Sequence, residues 1–479
     1  MSKMKEKCAV FGVYGTGFDA ARLTFFGLYA LQHRGQEGSG IVTSDGSELH
    51  AFRNSGLVNQ IYTEDVIKGL PGSIAIGHNR YSTSKGGSTE HLQPVIGRDR
   101  QIAVAHNGNL PSTVLLENFL NKKGISPQNL NDSELMAEAI KYYVARGKSL
   151  PDAVKLAFPL FTGAFSLVIM NHDTLVAVRD EYGIRPLCIG KLNGGYIVSS
   201  ETCALDTVHA KFLREVEPGE MVVINKKGLK STTIAPANLK LDIFEFIYFS
   251  RPDSYLLGKN VDAVRREMGV QLAREAIIDA DLVVPVPDSG ISAAQGFAEA
   301  SGIPYYNAIV KNRYIGRSFI APDQHMREWM VRMKLNPIRA AVEGKRVILI
   351  DDSIVRGTTS SAIVALLREA GAREVHFISS SPPYRYPDFY GMDVPEQDHL
   401  IAFNKSQEEI RAYLNADSLH YLSYEGLIAS TGLPESTFCA ACFTGVYPID
   451  IRERTSGVRP APIWVTQQPT LFSASQPQE

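Results

Sequence analysis

VILIDDSIVRGTT (residues 347–359) decides how the second half of this chain is built. Its first four residues are a continuous apolar run, the signature of a strand buried on both faces. Asp351 and Asp352 follow at the carboxyl end, where open α/β sheets bind their ligands. Ser353, Arg356, Gly357, Thr358 and Thr359 then lead into SSAIVALLREAGA (360–372). Ile363, Leu366, Leu367 and Ala370 form one helical stripe there, and Gly371 is placed to end it. EVHFISSS (374–381) reads as the next strand. Upstream, DLVVPVPDSG (281–290) runs into ISAAQGFAEASG (291–302) with the same rhythm. Strand, loop, helix, strand argues for a parallel sheet with helices on its faces. Amide N–H groups at a helix start, with Gly and Thr beside them, suit a phosphate monoester. Adjacent carboxylates suit ribose hydroxyls and a Mg²⁺ ion, which prefers oxygen ligands. Two acids alone would be an ordinary strand-to-helix turn; the full thirteen-residue string outweighs that reading.

The first half has a different texture. KCAVFGVYG, GSIAIGHNRY, QIAVAHNG, GAFSLVIMN, TLVAVRD, YIVSSE and MVVIN are short apolar runs separated by turn signals, as in buried antiparallel or mixed sheets. Helical patterns lie between them at ARLTFFGLYALQHR and DSELMAEAIKYYVARG, the latter with Leu135, Ala139 and Tyr142/Tyr143 on one face. The polar stretch 226–240 reads as a connection between two domains, 8–235 and 240–450. The Pro/Gln/Ser-rich segment 455–479 reads as a loosely held tail.

Composition excludes several classes. The 479 residues carry a net charge of −2, which gives no basic signature for nucleic acid or an acidic membrane. No apolar run is long enough to span a bilayer, and the N-terminus lacks the features of a secretory signal. Five cysteines cannot make a disulfide scaffold, so a reduced, cytoplasmic protein is expected. Cys188 and Cys203 sit in strand-like surroundings and read as core residues. Cys439 and Cys442 form a C-x-x-C pair, the spacing of a metal or cluster site or of a redox dithiol.

VILIDDSIVRGTT resembles the 5-phosphoribosyl-1-pyrophosphate (PRPP) signature of the type I phosphoribosyltransferases. The resemblance implies that Asp351, Asp352, Ser353, Arg356, Gly357, Thr358 and Thr359 bind PRPP. It also implies that Asp288 and Ser289 lie in the loop that holds the pyrophosphate. KNRYIGRSFI (311–320) resembles the loop that closes over PRPP; Lys311, Arg313 and Arg317 there, and Lys334 beyond it, would offset phosphate charge. One Mg²⁺ per subunit, near Ser289, Asp351 and Asp352, follows from the same resemblance.

Cys8, alone, would be an ordinary buried thiol. With LQHRGQEGSGI (31–41), GHNRYST (77–83), AHNGNL (105–110) and NDSE (131–134) it resembles the class II glutamine amidotransferases, a group of N-terminal nucleophile hydrolases. The implied fold is an α-β-β-α sandwich followed by the parallel α/β domain. In such a sandwich Cys8 is the nucleophile, and Asn107 and Gly108 supply the oxyanion donors. Arg80 pairs with the glutamine α-carboxylate, Asp132 with its α-ammonium, and Arg34 lies near the nucleophile as a further glutamine-site residue. A free α-amine on Cys8, with an ordinary pKa of about 7.7–8.0, would be the base, as for N-terminal threonine nucleophiles. That requires removal of residues 1–7 as a propeptide. His78 and His106 flank these motifs and read equally well as structural.

Together the two resemblances imply an enzyme that hydrolyses glutamine and passes the ammonia to C1 of PRPP. The products would be 5-phosphoribosylamine, glutamate and pyrophosphate, at the first committed step of purine synthesis. YFSRPDS (248–254) fits the same family. A homo-oligomer, tetramer or dimer, inhibited by purine nucleotides is implied. The intact Cys8 motifs argue against a PRPP- or nucleotide-sensing regulator without catalysis, and DDSIVRGTT argues against a synthase acting on another sugar phosphate. One branch of the family carries a four-iron cluster on four cysteines, two of them matching Cys439 and Cys442. The other two positions are Asp242 and Asp388 here. Two carboxylates make a poor cage for iron–sulfur chemistry, although Zn²⁺ accepts such a set. The favoured expectation is a remnant of the site, held by packing or hydrogen bonds.

Overall fold

The apolar runs of the first half form two antiparallel sheets packed face to face. The computed structural model describes residues 8–80, 91–97, 100–314, 332–391 and 396–461. The first sheet takes β1 (Ala9–Gly15), β2 (Gly38–Ser44), β3 (Leu49–Ser55) and β4 (Ile74–Arg80). The second opens with β5 (Val95–Ile96), β6 (Ala103–Ser112), β7 (Thr162–Met170) and β8 (Leu175–Arg179). β9 (Cys188–Leu192), β10 (Gly195–Ser199) and β11 (Lys211–Glu215) complete the first. β12 (Glu220–Asn225) and β13 (Gly228–Thr233) complete the second. The orders are β11-β9-β10-β1-β4-β2-β3 and β13-β12-β8-β7-β6-β5.

Strand alternation sorts the side chains into layers. Val10, Val42, Ile76, Ala105, Val168 and Val222 fill the space between the sheets. Ala9, Phe11 and Val13 point the other way, onto helix α1 (Ala20–Ala30). Val104, Leu167 and Val178 point outward onto α2 (Val114–Lys122), α3 (Asp132–Val144) and α4 (Leu150–Ala157). Helix α5 (Thr202–Thr207) joins α1 on the outer face of the first sheet. The result is the α-β-β-α sandwich.

The second half is the parallel sheet. After β14 (Leu241–Asp242), a π-helical turn (Glu245–Phe249), the ribbon of β15 (Tyr255–Leu256) and β16 (Lys259–Asn260), and α6 (Val261–Glu275), the sheet begins. It contains β17 (Leu282–Pro285), β20 (Arg346–Asp351), β21 (Glu374–Ser379) and β22 (Ser418–Tyr421), in that order and all parallel. Ile348 and Ile350 face α6 and α7 (Ile291–Ser301). Val347 and Leu349 face α8 (Thr358–Glu369) and α9 (Gln407–Leu414). β18 (Ile309–Lys311) and β19 (Leu335–Pro337) form a separate antiparallel ribbon. β23 (Phe438–Cys439) returns to pair in parallel with β14.

Two expectations change. The polar stretch 226–240 contains β13, an edge strand, so it is only partly a connection. The segment 455–461, expected to hang loosely, is docked: Arg459 N–H donates to Gln397 Oε1 at 2.8 Å, and Gln397 Nε2 donates back to the Arg459 carbonyl at 3.0 Å. Residues 462–479 lie outside the described residues. No helix of the described residues is long and apolar enough to cross a membrane.

Candidate functional site

The first site lies between the two sheets at one end. Ala9 of β1 pairs with Asn79 of β4, so Cys8 and Arg80 emerge side by side from neighbouring strands. By alternation both share the inward face with Val10 and Ile76. Asn107 on β6 shares the inward face of the second sheet with Ala103 and Ala105. Its Nδ2 lies 3.5 Å from Ser200 Oγ, and Val10 N–H donates to that same hydroxyl at 2.9 Å. Ser200 thus ties Asn107 to the strand that begins at Cys8. Nothing in the motifs singled out Ser200; its only sequence signal was the polar SSE ending an apolar strand.

Gly108 pairs with Phe165 in β7 at a φ of +150°. A Cβ there would lie 2.0 Å from the Ala164 carbonyl oxygen, so only glycine fits. Asp132 opens α3 just after its N-cap, Asn131, whose side chain and Glu134 make a reciprocal capping box. The Asp132 carboxylate accepts from Leu110 N–H at 3.3 Å, which fastens this helix start beside the Asn107–Gly108 pair. His106 points outward to Ser133 Oγ at 2.9 Å, and His78 Nε2–H donates to the His106 carbonyl at 3.0 Å. Burial holds His78 at a pKa of about 3 and pushes His106 down as well. Both are neutral framework histidines.

Arg34 departs from expectation. Its side chain is fully buried, and its guanidinium is taken by Glu201 and Glu245, with Ser250 Oγ at 3.1 Å from Nη2. Burial works against its charge, but the two carboxylates outweigh it and hold Arg34 above the ordinary arginine pKa. Nε, Nη1 and Nη2 are all bonded within this buried set, so Arg34 joins the two halves instead. Glu201 and Glu245 are 167 and 211 residues away in sequence, which is why the motif around Arg34 could not show this.

The second site lies at the carboxyl end of β20. Asp351, Asp352, Ser353, Arg356, Gly357, Thr358 and Thr359 line one pocket, with Tyr248 from the π-helical turn. Both aspartates are buried; Ser353 Oγ donates to Asp352 at 2.6 Å. Helix α8 starts at Gly357 without a side-chain cap, so its first-turn N–H groups face this pocket unengaged by any cap. Val286 N–H bonds the Ile350 carbonyl at 2.8 Å, bringing the 286–290 loop against the same strand end. Within that loop Ser289 Oγ is buried without a hydrogen-bond partner among the described residues. Asp288 pairs with Lys311. Lys311, Arg313 and Lys334 cluster on the ribbon, where Asn312 N–H bonds the Lys334 carbonyl at 2.8 Å. Arg317, most of the closing loop and the propeptide lie outside the described residues.

Two carboxylates and an unengaged serine hydroxyl fit Mg²⁺, which takes one or two protein carboxylates and completes its shell with water and substrate oxygens. Among the described residues no three His, Cys, Asp or Glu side chains converge as a metal cage. The four cluster positions are a different case. Asp242 is the register partner of Cys439. Asp242 Oδ1 accepts from Phe244 N–H at 3.0 Å, and Asp388 Oδ1 from Tyr390 N–H at 2.7 Å. Burial, with Asp242 and Asp388 nearby, pushes both thiols well up, away from the thiolate that binds metal. A guanidinium, from Arg185, lies 3.1 Å from Asp242 Oδ2. This set does not fit an iron–sulfur cluster.

The two sites are connected through the π-helical turn. Glu245 bonds Arg34, which Glu201 joins to Ser200's neighbourhood. Tyr248 lines the second pocket. Arg265 donates to the carbonyls of Phe246 (2.6 Å) and Ser250 (2.8 Å); burial lowers its pKa to about 10, against the pull of Asp352.

The chain is similar to proteins of known kind. A family described as a glutamine amidotransferase domain matches residues 78–207. The amidophosphoribosyltransferase of Synechocystis sp. is 49% identical over 456 residues, covering 94% of this chain and 92% of that protein. The amidophosphoribosyltransferase of Bacillus subtilis is 46% identical over 460 residues, covering 94% and 96%. The solved structure of glutamine PRPP amidotransferase from B. subtilis, complexed with ADP and GMP, superposes with a TM-score of 0.87 at 46% identity, over 93% of this chain and 98% of that one.

Proposed function

The chain belongs to the amidophosphoribosyltransferase family, and from that premise we propose how its two halves divide one reaction. The enzyme transfers the amide nitrogen of glutamine to C1 of PRPP in purine biosynthesis, giving 5-phosphoribosylamine, glutamate and pyrophosphate. The observation that carries the division of labour is the pairing of Cys8 with Arg80 on one sheet, opposite Asn107 on the other.

Removal of residues 1–7 frees the Cys8 α-amine to take the thiol proton. The thiolate attacks the glutamine amide carbon, and the developing oxyanion takes hydrogen bonds from Asn107 Nδ2 and Gly108 N–H. The C–N bond breaks, the protonated amine returns its proton to the leaving nitrogen, and water then hydrolyses the thioester to glutamate. Arg80 and Asp132 hold the α-carboxylate and α-ammonium. Ammonia moves to the second pocket, where it displaces pyrophosphate from C1. The loop 286–290 with Lys311, Arg313 and Lys334 holds the pyrophosphate. The start of α8 holds the 5-phosphate, and Asp351 and Asp352 hold the ribose hydroxyls. Ser289, Asp351 and Asp352 are the residues that would hold Mg²⁺, which supplies charge neutralisation on the pyrophosphate when bound. The turn 245–250, bonded to Arg34 and lining the PRPP pocket, is the element through which occupancy of one site reaches the other. Purine nucleotides as inhibitors, a dimer or tetramer, and a cytoplasmic location complete the proposal.

The test is pyrophosphate release from PRPP with glutamine or with ammonium as nitrogen source. Cys8→Ala is expected to lose the glutamine-dependent rate and keep the ammonia-dependent one. Loss of both in a folded variant would refute the division.

A further inference from the structure

Arg185 lies in the loop between β8 and β9, on the glutaminase side, yet its side chain is fully buried among residues of the second half. Its Nη1 is 3.1 Å from Asp242 Oδ2 and 3.2 Å from Glu245 Oε1. Its Nε donates to the Tyr390 carbonyl at 3.1 Å. The guanidinium plane stands 5.0 Å over the Phe249 ring, at cation–π distance. Gly391 makes the room: a Cβ on it would lie 2.3 Å from Arg185 Nη2, at a φ of +128°. One side chain therefore touches the opening segment of the second half (Asp242, Glu245, Phe249) and a loop about 140 residues further on (Tyr390, Gly391). The backbone repeats the connection, since Asp242 N–H bonds the Ile184 carbonyl at 3.1 Å.

We infer that Arg185 does here, through ion pairs and hydrogen bonds, what a four-iron cluster does at the four equivalent positions in the other branch of the family. It fastens the sandwich to the opening segment of the phosphoribosyl domain and to its 390–391 loop, and this chain holds no iron at the site and needs none. The argument rests on what fills the pocket. A cluster requires four thiolates, or histidine in place of one or two. Two of the positions are carboxylates, and each is already committed to capping a turn through a backbone N–H. The volume left by Gly391 is filled by a guanidinium. Asp242, Arg185 and Gly391 form one connected set: the acid needs the counter-charge, and the arginine needs the missing side chain.

Two measurements test this. Protein prepared anaerobically from iron-replete cells is assayed for iron and acid-labile sulfide. Well under one iron per chain is expected, with activity that decays at the same rate in air and under argon. About four irons and four sulfides per chain overturn the inference. Second, denaturant midpoints are compared for Arg185→Met, Asp242→Asn and the double variant. Arg185→Met strands buried acid and should lower the midpoint sharply. Adding Asp242→Asn should then recover part of that loss, whereas additive losses refute the pairing. Should Arg185→Met fail to fold, Cys439→Ala/Cys442→Ala decides the matter. Folded, active double variant is expected, and an unfolded one means that the thiols hold the site.

Discussion

Replacing Gly108 by alanine is expected to separate the two activities. The new Cβ would start 2.0 Å from the Ala164 carbonyl oxygen and 2.8 Å from its carbon, where side chains essentially never come closer than 3.0 Å. Strands β6 and β7 must therefore part by about 1 Å at the position proposed to carry an oxyanion donor, and a shift of about that size costs roughly 10²-fold in rate. Loss of one such donor altogether costs about 10²–10³-fold. Glutamine-dependent pyrophosphate release is thus expected to fall about 10²–10³-fold. Ammonia-dependent release, made in the other half, should stay within a few-fold of the parent. The assay is the ratio of the two rates at saturating PRPP, with the thermal midpoint measured alongside. Equal falls in both would make Gly108 a folding device rather than part of the glutamine site. Two unchanged rates in a folded variant would mean that its N–H does not serve the oxyanion.

Asp351→Asn and Asp352→Asn are each expected to abolish transfer with either nitrogen source while glutamine hydrolysis persists; transfer kinetics with ammonium decide it. Glu245→Gln leaves Arg34 and Arg185 short of a buried counter-charge, a loss on the order of 3–5 kcal/mol. Chemical denaturation reads that loss, and a stimulation of glutaminase by PRPP that survives it intact would remove the 245–250 turn from the coupling path. His78, held near pKa 3 by burial, stays neutral in the folded chain while the unfolded chain protonates near pH 6.5. Stability is therefore full above about pH 6.5 and falls as pH drops toward 3, by about 1.4 kcal/mol per unit for this histidine. His78→Gln should flatten that acid limb in denaturation at pH 4 to 7, and an unchanged slope refutes the assignment.

Much of this was legible because it is local. VILIDDSIVRGTT carries its strand, its acids and its helix start in thirteen consecutive residues, and the acids and the helix start line one pocket. Seven apolar runs of the first half all appear as strands. β3, β11 and β13 were not read, and each is rich in polar side chains: LHAFRNS, KFLRE and GLKSTT. β3, β11 and β13 are edge strands, which pair through backbone on one side and face solvent with polar residues. β2 hid behind Gly-Ser-Gly, although it lies inside the sheet. Arg34 is a different case. A motif places a residue near a site but does not reveal a counter-charge two hundred positions away. Arg185 gave no signal at all, since its side-chain partners come from two distant segments.

The buried charges explain why the junction can be both firm and responsive. Arg34 and Arg185 share Glu245, and Glu201 completes the Arg34 side. Ionised acids there are supported: burial raises Glu201 and Glu245, but the arginines outweigh it and hold both below the ordinary value. Asp242 is pulled the other way, because burial raises it, against Arg185, with Asp388 and Glu245 adding to the rise. The Arg34 end of the network is therefore tightly compensated, while at the Asp242 end Arg185 is the counter-charge that offsets the cost of burial. Glu245 belongs to both ends and sits three residues before Tyr248 of the second pocket. A displacement of that turn by ligand would have to move Glu245 against two fully buried guanidiniums. Such a contact resists small shifts and yields only to a rearrangement of the whole turn, which is how a packed interface turns ligand occupancy into a discrete response at a distant site.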